Sequence, residues 1–181
     1  MNAPAYHLTQ FAYDVRDGLG RLGQKQLPPS YLYDELGSTL FEAITMLPEY
    51  GLTRADARLL RRYAPEIANA SPHGVLVAEL GSGTGTKTHH VLSALARRQP
   101  AVDYYPIDVS AAALRACAAD LESVARVHPI HASYLDGLKR AGRGRKKDQN
   151  ILLLFLGSTI GNFDREAGVR FLVDVRSVLI P

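Results

Sequence analysis

The chain has 181 residues, which at roughly 100 to 200 residues per domain suits one full domain, or one large domain with an appendage, and argues against two. Hydrophobic residues make up 46% and charged residues 22%, so collagen-like, disordered and coiled-coil readings fall away and a real core can be buried. The net charge of +3 is uneven: Lys139, Arg140, Arg143, Arg145, Lys146 and Lys147 form one basic cluster, and the remainder of the chain is acidic on balance. Interleaved with Gly142 and Gly144 and free of aromatics, that cluster reads as a solvated loop rather than a nucleic-acid surface.

The longest strongly apolar run, residues 151–156, is far short of the ~20 residues that a membrane span needs, and the N-terminus has no basic segment followed by an apolar stretch. A soluble, cytoplasmic protein is expected, without a membrane partner. A single cysteine, Cys117, excludes an intramolecular disulfide and a multi-cysteine zinc site.

In chain order, the first half has helical signals. Leu8, Phe11, Val15, Leu19 and Leu22 recur at helical spacing, Pro28 and Pro29 break the chain, and Ser38 is a candidate cap for a short helix carrying Phe41, Ile44 and Leu47. Pro48 gives another break. Thr53 with Asp56 three residues on resembles a capping box, opening a helix through Leu59, Leu60, Tyr63 and Ile67 that Pro65 ends or kinks. Turn formers at Ser71, Pro72, His73 and Gly74 then divide the chain into a helical region, 1–72, and a second unit, 73–181.

The second unit alternates strand and helix signals. Residues 75–80 and 151–156 read as strands buried on both faces, and 103–107 and 127–131 are weaker candidates. Helices are expected at 86–98, 111–124 and 164–179. This alternation, with about four strands, argues for an α/β fold with right-handed crossovers and a parallel sheet. Cys117 shares a helical stripe with Leu114 and Leu121 and is expected to be a packed core thiol. Only one neighbouring strand can be found for 151–156, so its other edge is expected to be uncovered and to invite self-association or completion by another segment.

The strongest chemical signal is ELGSGTGTKT, residues 79–88, where the first buried strand ends and a helix begins. Gly81, Gly83 and Gly85 let the backbone turn sharply and approach a ligand closely, while the helix N-terminus supplies unpaired N–H groups. The pattern misses the final spacing of the dinucleotide fingerprint, and no P-loop frame fits before Lys87. Asp108 closes the next strand, where doubly wound sheets present a carboxylate to a ribose diol. Asp108 can equally cap the following helix, although Ser110 can take that role. Together, glycines and acid favour a nucleoside-containing cofactor. FLGSTIGNF, residues 155–163, follows the fourth strand and should face the same crevice, with Asn162 offering donors and an acceptor there. The adjacent His89 and His90 point about 100° apart on a helix and read as a surface pair. His128 and His131 have no clustered carboxylate or cysteine partners in sequence, so a metal site has no support.

Four segments, LPPSYLYDELGSTLFEAITMLPEYGLTRAD (27–56), LGSGTGTKT (80–88), YYPIDVSAAAL (104–114) and FLGSTIGNF (155–163), resemble the histidine Nα-methyltransferase family, whose members trimethylate histidine for ergothioneine synthesis using S-adenosylmethionine. The resemblance runs from about Leu27 to the end. It implies a Rossmann-like class I methyltransferase core with an N-terminal helical cap, of which this chain is the N-terminal part, the C-terminal part of the family fold being absent. It also implies that Gly81, Ser82, Gly83, Lys87 and Asp108 bind S-adenosylmethionine, that Tyr50 and Asn162 contact the amino acid, and that Tyr33, Phe41 and Gly157 line the cleft. Where the family has an acid and an aromatic after the third strand, this chain has Ser133 and Tyr134, so one adenine contact is expected to be altered.

The expected activity is N-methylation of an amino acid, L-histidine first, with no residue assigned as catalytic and no metal. The alternatives are a nicotinamide-dependent oxidoreductase on a related sheet, or a non-catalytic nucleoside-binding module.

Overall fold

In the computed structural model, residues 5–147, 149–157 and 159–179 are described. Strand β1, Leu76–Leu80, is buried along its whole length, Glu79 included, as its otherwise apolar sequence requires of an interior strand. On one side it pairs in parallel with β2, Asp103–Asp108, in the register Val77 to Tyr104 and Leu80 to Ile107. On the other it pairs in parallel with β5, Ile151–Leu154, in the register Val77 to Leu152. Two short strands, β3 (Arg126–Val127) and β4 (Ile130–His131), lie beyond β2 and both pair with it in parallel. The sheet order is β3-β2-β1-β5, with β4 also on β2.

Among the described residues the sheet therefore has five strands where about four were expected, because the single strand expected over 127–131 is interrupted. Pro129 has no N–H to donate to a ladder, and the backbone N–H of His128 already reaches Tyr104. The chain builds outward from β1 through β2 to β3 and β4, then returns to the far side of β1 for β5. The order thus reverses between β1 and β5, and the crevice at their carboxyl ends is where open α/β sheets bind ligands.

Helices cover both faces. Alternate residues of β1 point opposite ways. Val77, with Tyr104, meets α3 (Leu52–Ala70), α4 (His89–Ala96) and α5 (Ala111–Leu121) through Ala64, Ala68, Leu92, Leu95, Cys117 and Leu121. Leu76, Ala78 and Leu80 meet α6 (Tyr134–Arg143) and α7 (Arg165–Leu179) through Leu138, Ala141, Phe171 and Val175. Cys117 is fully buried with Leu114 and Leu121 on one face of α5, and burial pushes its thiol up to about 11. Helices α1 (Ala5–Gly20) and α2 (Glu35–Met46) leave Phe11, Leu40, Phe41 and Ile44 exposed.

Several local expectations are corrected. Helix α2 is capped by Asp34, whose carboxylate accepts the N–H of Gly37 at 2.7 Å, rather than by Ser38. An anionic acceptor at that point also complements the helix dipole, so the helix starts one turn earlier. Helix α3 has Gly51 at its N-cap position and no side-chain cap. The expected Thr53–Asp56 box does not form because the Asp56 carboxylate turns to the Lys87 ammonium, 3.1 Å away. Pro65 does not end α3, which continues to Ala70, its Ala64 and Ala68 being pulled into the core.

The basic cluster is exposed or half-exposed, but it is not all loop: Lys139, Arg140 and Arg143 belong to α6. That helix is hard to find in sequence because two glycines depress its propensity. One of them is required by packing, since a Cβ on Gly137 would lie 2.3 Å from Ile107 Cγ2. Basic residues in the last turn suit the negative end of the helix.

Candidate functional site at the carboxyl ends of β1, β2 and β5

The turn after β1 is fastened to the end of β2. Gly81 and Ser82 both donate their backbone N–H groups to Ile107 O, at 2.8 and 3.3 Å. Gly83 donates to Asp108 Oδ2 at 2.9 Å, and Asp108 Oδ1 accepts from Ser110 N at 2.9 Å. Ser110 in turn accepts from Ala113 N at 3.3 Å and caps α5. Of the two candidate caps, Ser110 takes the role, while Asp108 ties the glycine turn to the helix start, a connection not anticipated from sequence.

The three turn glycines all have positive φ, +69° at Gly81, +54° at Gly83 and +73° at Gly85, a conformation that costs a residue with a Cβ. Their surroundings differ. A Cβ on Gly85 would lie 2.7 Å from both Cys117 Sγ and Leu121 Cδ1, so that glycine packs against the core. A Cβ on Gly83 would meet nothing within 4 Å. One side of the turn is therefore a packing surface and the other faces open space, as close approach by a small ligand requires. Ser82 is buried, its hydroxyl 3.4 Å from Gly83 O and hydrogen-bonded with Cys117.

Beneath the turn, Glu79 is buried at the end of β1 and its Oε2 accepts from Thr88 Oγ1 at 2.7 Å and Tyr104 Oη at 2.5 Å. Burial pushes this carboxyl up to about 7, against the two hydroxyl donors and the Lys87 charge, which favour the anion. Lys87 pairs with Asp56, and an ideal Cβ on Gly157, where φ is +83°, would lie 3.6 Å from its Nζ. The loop after β5 thus reaches the ammonium.

Tyr134 begins α6 and lies under Gly81, whose ideal Cβ would be 3.2 Å from the phenol oxygen. Its ring packs edge-on to Phe155 at 5.7 Å and Phe171 at 6.0 Å. Burial pushes its hydroxyl up to about 12, with Asp108 and Tyr33 acting the same way and a hydrogen bond with Thr159 acting against them. Tyr134 therefore brings together Gly81, Tyr33 and the loop after β5. Ser133 is drawn elsewhere: it is exposed and its hydroxyl donates to Asp136 at 2.8 Å. On the N-terminal side, Phe41 and Tyr50 pack edge to face at 6.0 Å. Asn162 ends a 3-10 turn, Thr159–Asn162, and is exposed.

Other residues matter to this geometry and were not singled out from sequence as part of the site. Arg54 donates to Leu47 O at 2.8 Å and to Pro48 O, holding the turn that carries Tyr50. Asp56, Thr159 and Glu79 each connect segments far apart in the chain. Asp56 and Arg54 lie in the 27–56 segment, but nothing local marks a partner 31 residues away. His128 also finds a carboxylate that sequence did not suggest: its Nε2 is 3.0 Å from Asp103 Oδ1 and its ring stacks on Tyr105 at 4.6 Å. His131 Nε2 lies 2.8 Å from Val109 O, and the His89 and His90 rings are 6.0 Å apart. Among the described residues no group of three or more His, Cys, Asp or Glu could hold a metal ion, and no helix is long and apolar enough to cross a membrane.

Residues 11–181 match the family described as histidine-specific methyltransferases, SAM-dependent. The chain belongs to this family. It is 39% identical over 171 residues to the histidine N-alpha-methyltransferase of Mycobacterium tuberculosis, covering 93% of this chain and 51% of that protein. It is likewise 39% identical over 172 residues to the histidine N-alpha-methyltransferase of Mycolicibacterium smegmatis, with coverage of 93% and 51%. With ergothioneine biosynthesis protein 1 of Neurospora crassa it shares 38% identity over 161 residues, 88% of this chain and 18% of that protein. The chain thus spans about half the length of the two bacterial relatives. For this methyltransferase family member, the α/β fold with a parallel sheet agrees with a Rossmann-like methyltransferase core. None of these three relatives is named as a nicotinamide-dependent oxidoreductase.

Proposed function

We propose that this chain binds S-adenosylmethionine and carries the donor half of an amino-acid Nα-methyltransferase site, with L-histidine as the acceptor. The observation that carries the reading is the Gly83–Asp108 hydrogen bond at the switch point, which fixes an open glycine turn beside a carboxylate. In this reading Gly81, Ser82 and Gly83 lie along the cofactor, and Asp108 takes the ribose hydroxyls with the lone pairs left over from its backbone bonds. Lys87 takes the carboxylate of the cofactor's amino-acid end, the one anionic group there that suits an ammonium. Tyr134, under Gly81, stands near the adenine, and Ser133 beside it offers the adenine its backbone, its hydroxyl being held by Asp136.

When bound, S-adenosylmethionine supplies a methyl group on a positively charged sulfur, an already activated leaving group. The protein's part is to hold an amine in line with that methyl group and to keep the amine neutral. Tyr50 and Asn162 orient the amino acid, while Tyr33, Phe41 and Gly157 shape the cleft. Arg54 supports Tyr50 by fixing the turn before it. In the same reading residues 1–72 form the helical region that supplies acceptor contacts and 73–181 the cofactor-binding core.

Incubating the chain with histidine and S-adenosylmethionine and weighing the products by mass spectrometry tests the reading. Methylated histidine supports it; cofactor binding without any methyl transfer favours a nucleoside-binding module, and binding of NADH alone favours an oxidoreductase. A cytoplasmic location belongs to the same proposal, supported by the single, buried cysteine. We also propose self-association along β5, which pairs only with β1 among the described residues, while Val169, Leu172 and Val173 of α7 are exposed. A monomer by light scattering at all concentrations would remove that part.

A further inference from the structure

We propose that Asp56 is a positioning residue for cofactor binding: it holds the Lys87 ammonium at the crevice, ready for the carboxylate of the cofactor's amino-acid end. The inference rests on the reading of Lys87 given above and adds a residue that has no role there. Asp56 Oδ2 and Lys87 Nζ are 3.1 Å apart, and their side chains are 24% and 26% exposed. The pair is thus partly withdrawn from water, where salt screens it less than a surface pair.

Its placement distinguishes it from the other ion pairs described. The two i,i+4 pairs, Arg21–Asp17 at the end of α1 and Arg170–Glu166 within α7, are local and largely exposed. The Arg126–Asp103 and His128–Asp103 pairs lie at the amino end of β2, away from the crevice. Asp56 and Lys87 instead join α3 to the segment between the glycine turn and α4, and Gly157 brings the loop after β5 to the same ammonium. Helix α3 and two segments that carry proposed cofactor and acceptor contacts therefore meet at one charge.

An ammonium has three donors and a long, flexible stem. Asp56 occupies one donor and thereby fixes the stem, leaving the others directed to a ligand. Without that acceptor, the stem must be ordered at the moment of binding, which weakens affinity for any ligand carrying the carboxylate and leaves affinity for one lacking it unchanged.

The test is calorimetry of the 181-residue chain with S-adenosylhomocysteine, which has the carboxylate, and 5′-methylthioadenosine, which lacks it. Asp56→Ala, which removes the acceptor, should weaken S-adenosylhomocysteine about tenfold, the effect of one moderate charge-assisted interaction, and leave methylthioadenosine unchanged. Asp56→Glu should restore most of the loss. Equal weakening of both ligands, or a lowered melting temperature with unchanged affinities, would make Asp56 a fastener of α3 and overturn the inference. Lys87→Met separates the layers. If it too leaves the ratio of the two affinities unchanged, the reading of Lys87 falls together with the inference; if it shifts the ratio and Asp56→Ala does not, only the inference falls. Failure of the unsubstituted chain to bind S-adenosylhomocysteine would remove the cofactor reading itself.

Discussion

Asp108 Oδ2 accepts the backbone N–H of Gly83 at 2.9 Å, so the end of β2 holds the turn that leaves β1. With Oδ1 on Ser110 N, one carboxylate fixes two of the segments bordering the proposed cofactor crevice. Its effect on binding should therefore combine direct contact with the shape of the turn.

Asp108→Ala should weaken S-adenosylhomocysteine by about 1.5 to 3 kcal/mol, the range for hydrogen bonds to a charged group. Asp108→Asn should lose less, since its carbonyl oxygen still accepts from one backbone N–H. Calorimetry on folded variants reads both, and unchanged affinity in the alanine variant places the ribose elsewhere.

Asn162→Ala should raise the acceptor KM or abolish turnover while leaving cofactor affinity nearly intact, because the residue stands after β5, outside the glycine turn. Loss of cofactor affinity alone would mean that the two halves of the site are reversed.

Glu79 gives stability a definite pH dependence. Its folded carboxyl is raised from an ordinary 4.5 to about 7, so between these values the native state binds more protons than the unfolded one. The contribution is fully present below pH 4.5 and is lost as pH rises through 7; the full span is worth about 3 kcal/mol. His90 is shifted down by burial, and so works in the opposite sense as pH falls. Comparing urea denaturation of the native chain with Glu79→Gln at pH 5 and pH 8 isolates the Glu79 part. The native chain should lose more stability than the variant over this interval, and parallel behaviour would show that the buried carboxyl does not titrate there.

Gly85→Ala should destabilise the fold by about 2 to 4 kcal/mol, combining a left-handed backbone with overpacking against Cys117 and Leu121, each 2.7 Å from the new carbon. Removing the thiol in a Gly85→Ala, Cys117→Ala double variant should recover part of that loss. Strict additivity in denaturant melts would mean that the two sites do not press on each other.

Sequence alone determined the parts whose cause is local or periodic. The apolar start of β1 can be satisfied only by burial on both faces, and the stripe of Leu114, Cys117 and Leu121 only by a core-facing helix; the same expectation for 151–156 is not met, since Ile151, Leu152 and Leu153 are half-buried on a strand that pairs only with β1 among the described residues. Glycines clustered after a strand, with Asp108 at the end of the next, marked the crevice before any contact was known. Tertiary structure decided which polar group meets which. Asp34 rather than Ser38 caps α2, Pro129 splits a strand, and Asp56 leaves its own helix end for Lys87. Tyr134 couples to Tyr33 and Thr159, and Glu79 to Thr88 and Tyr104, across stretches of chain that no local pattern spans. The physical reason is that hydrophobic periodicity is a property of one segment, whereas a hydrogen bond or ion pair depends on the separation of two atoms, fixed here by the register of β1 with β2 and β5 and by the packing of α3 on α4.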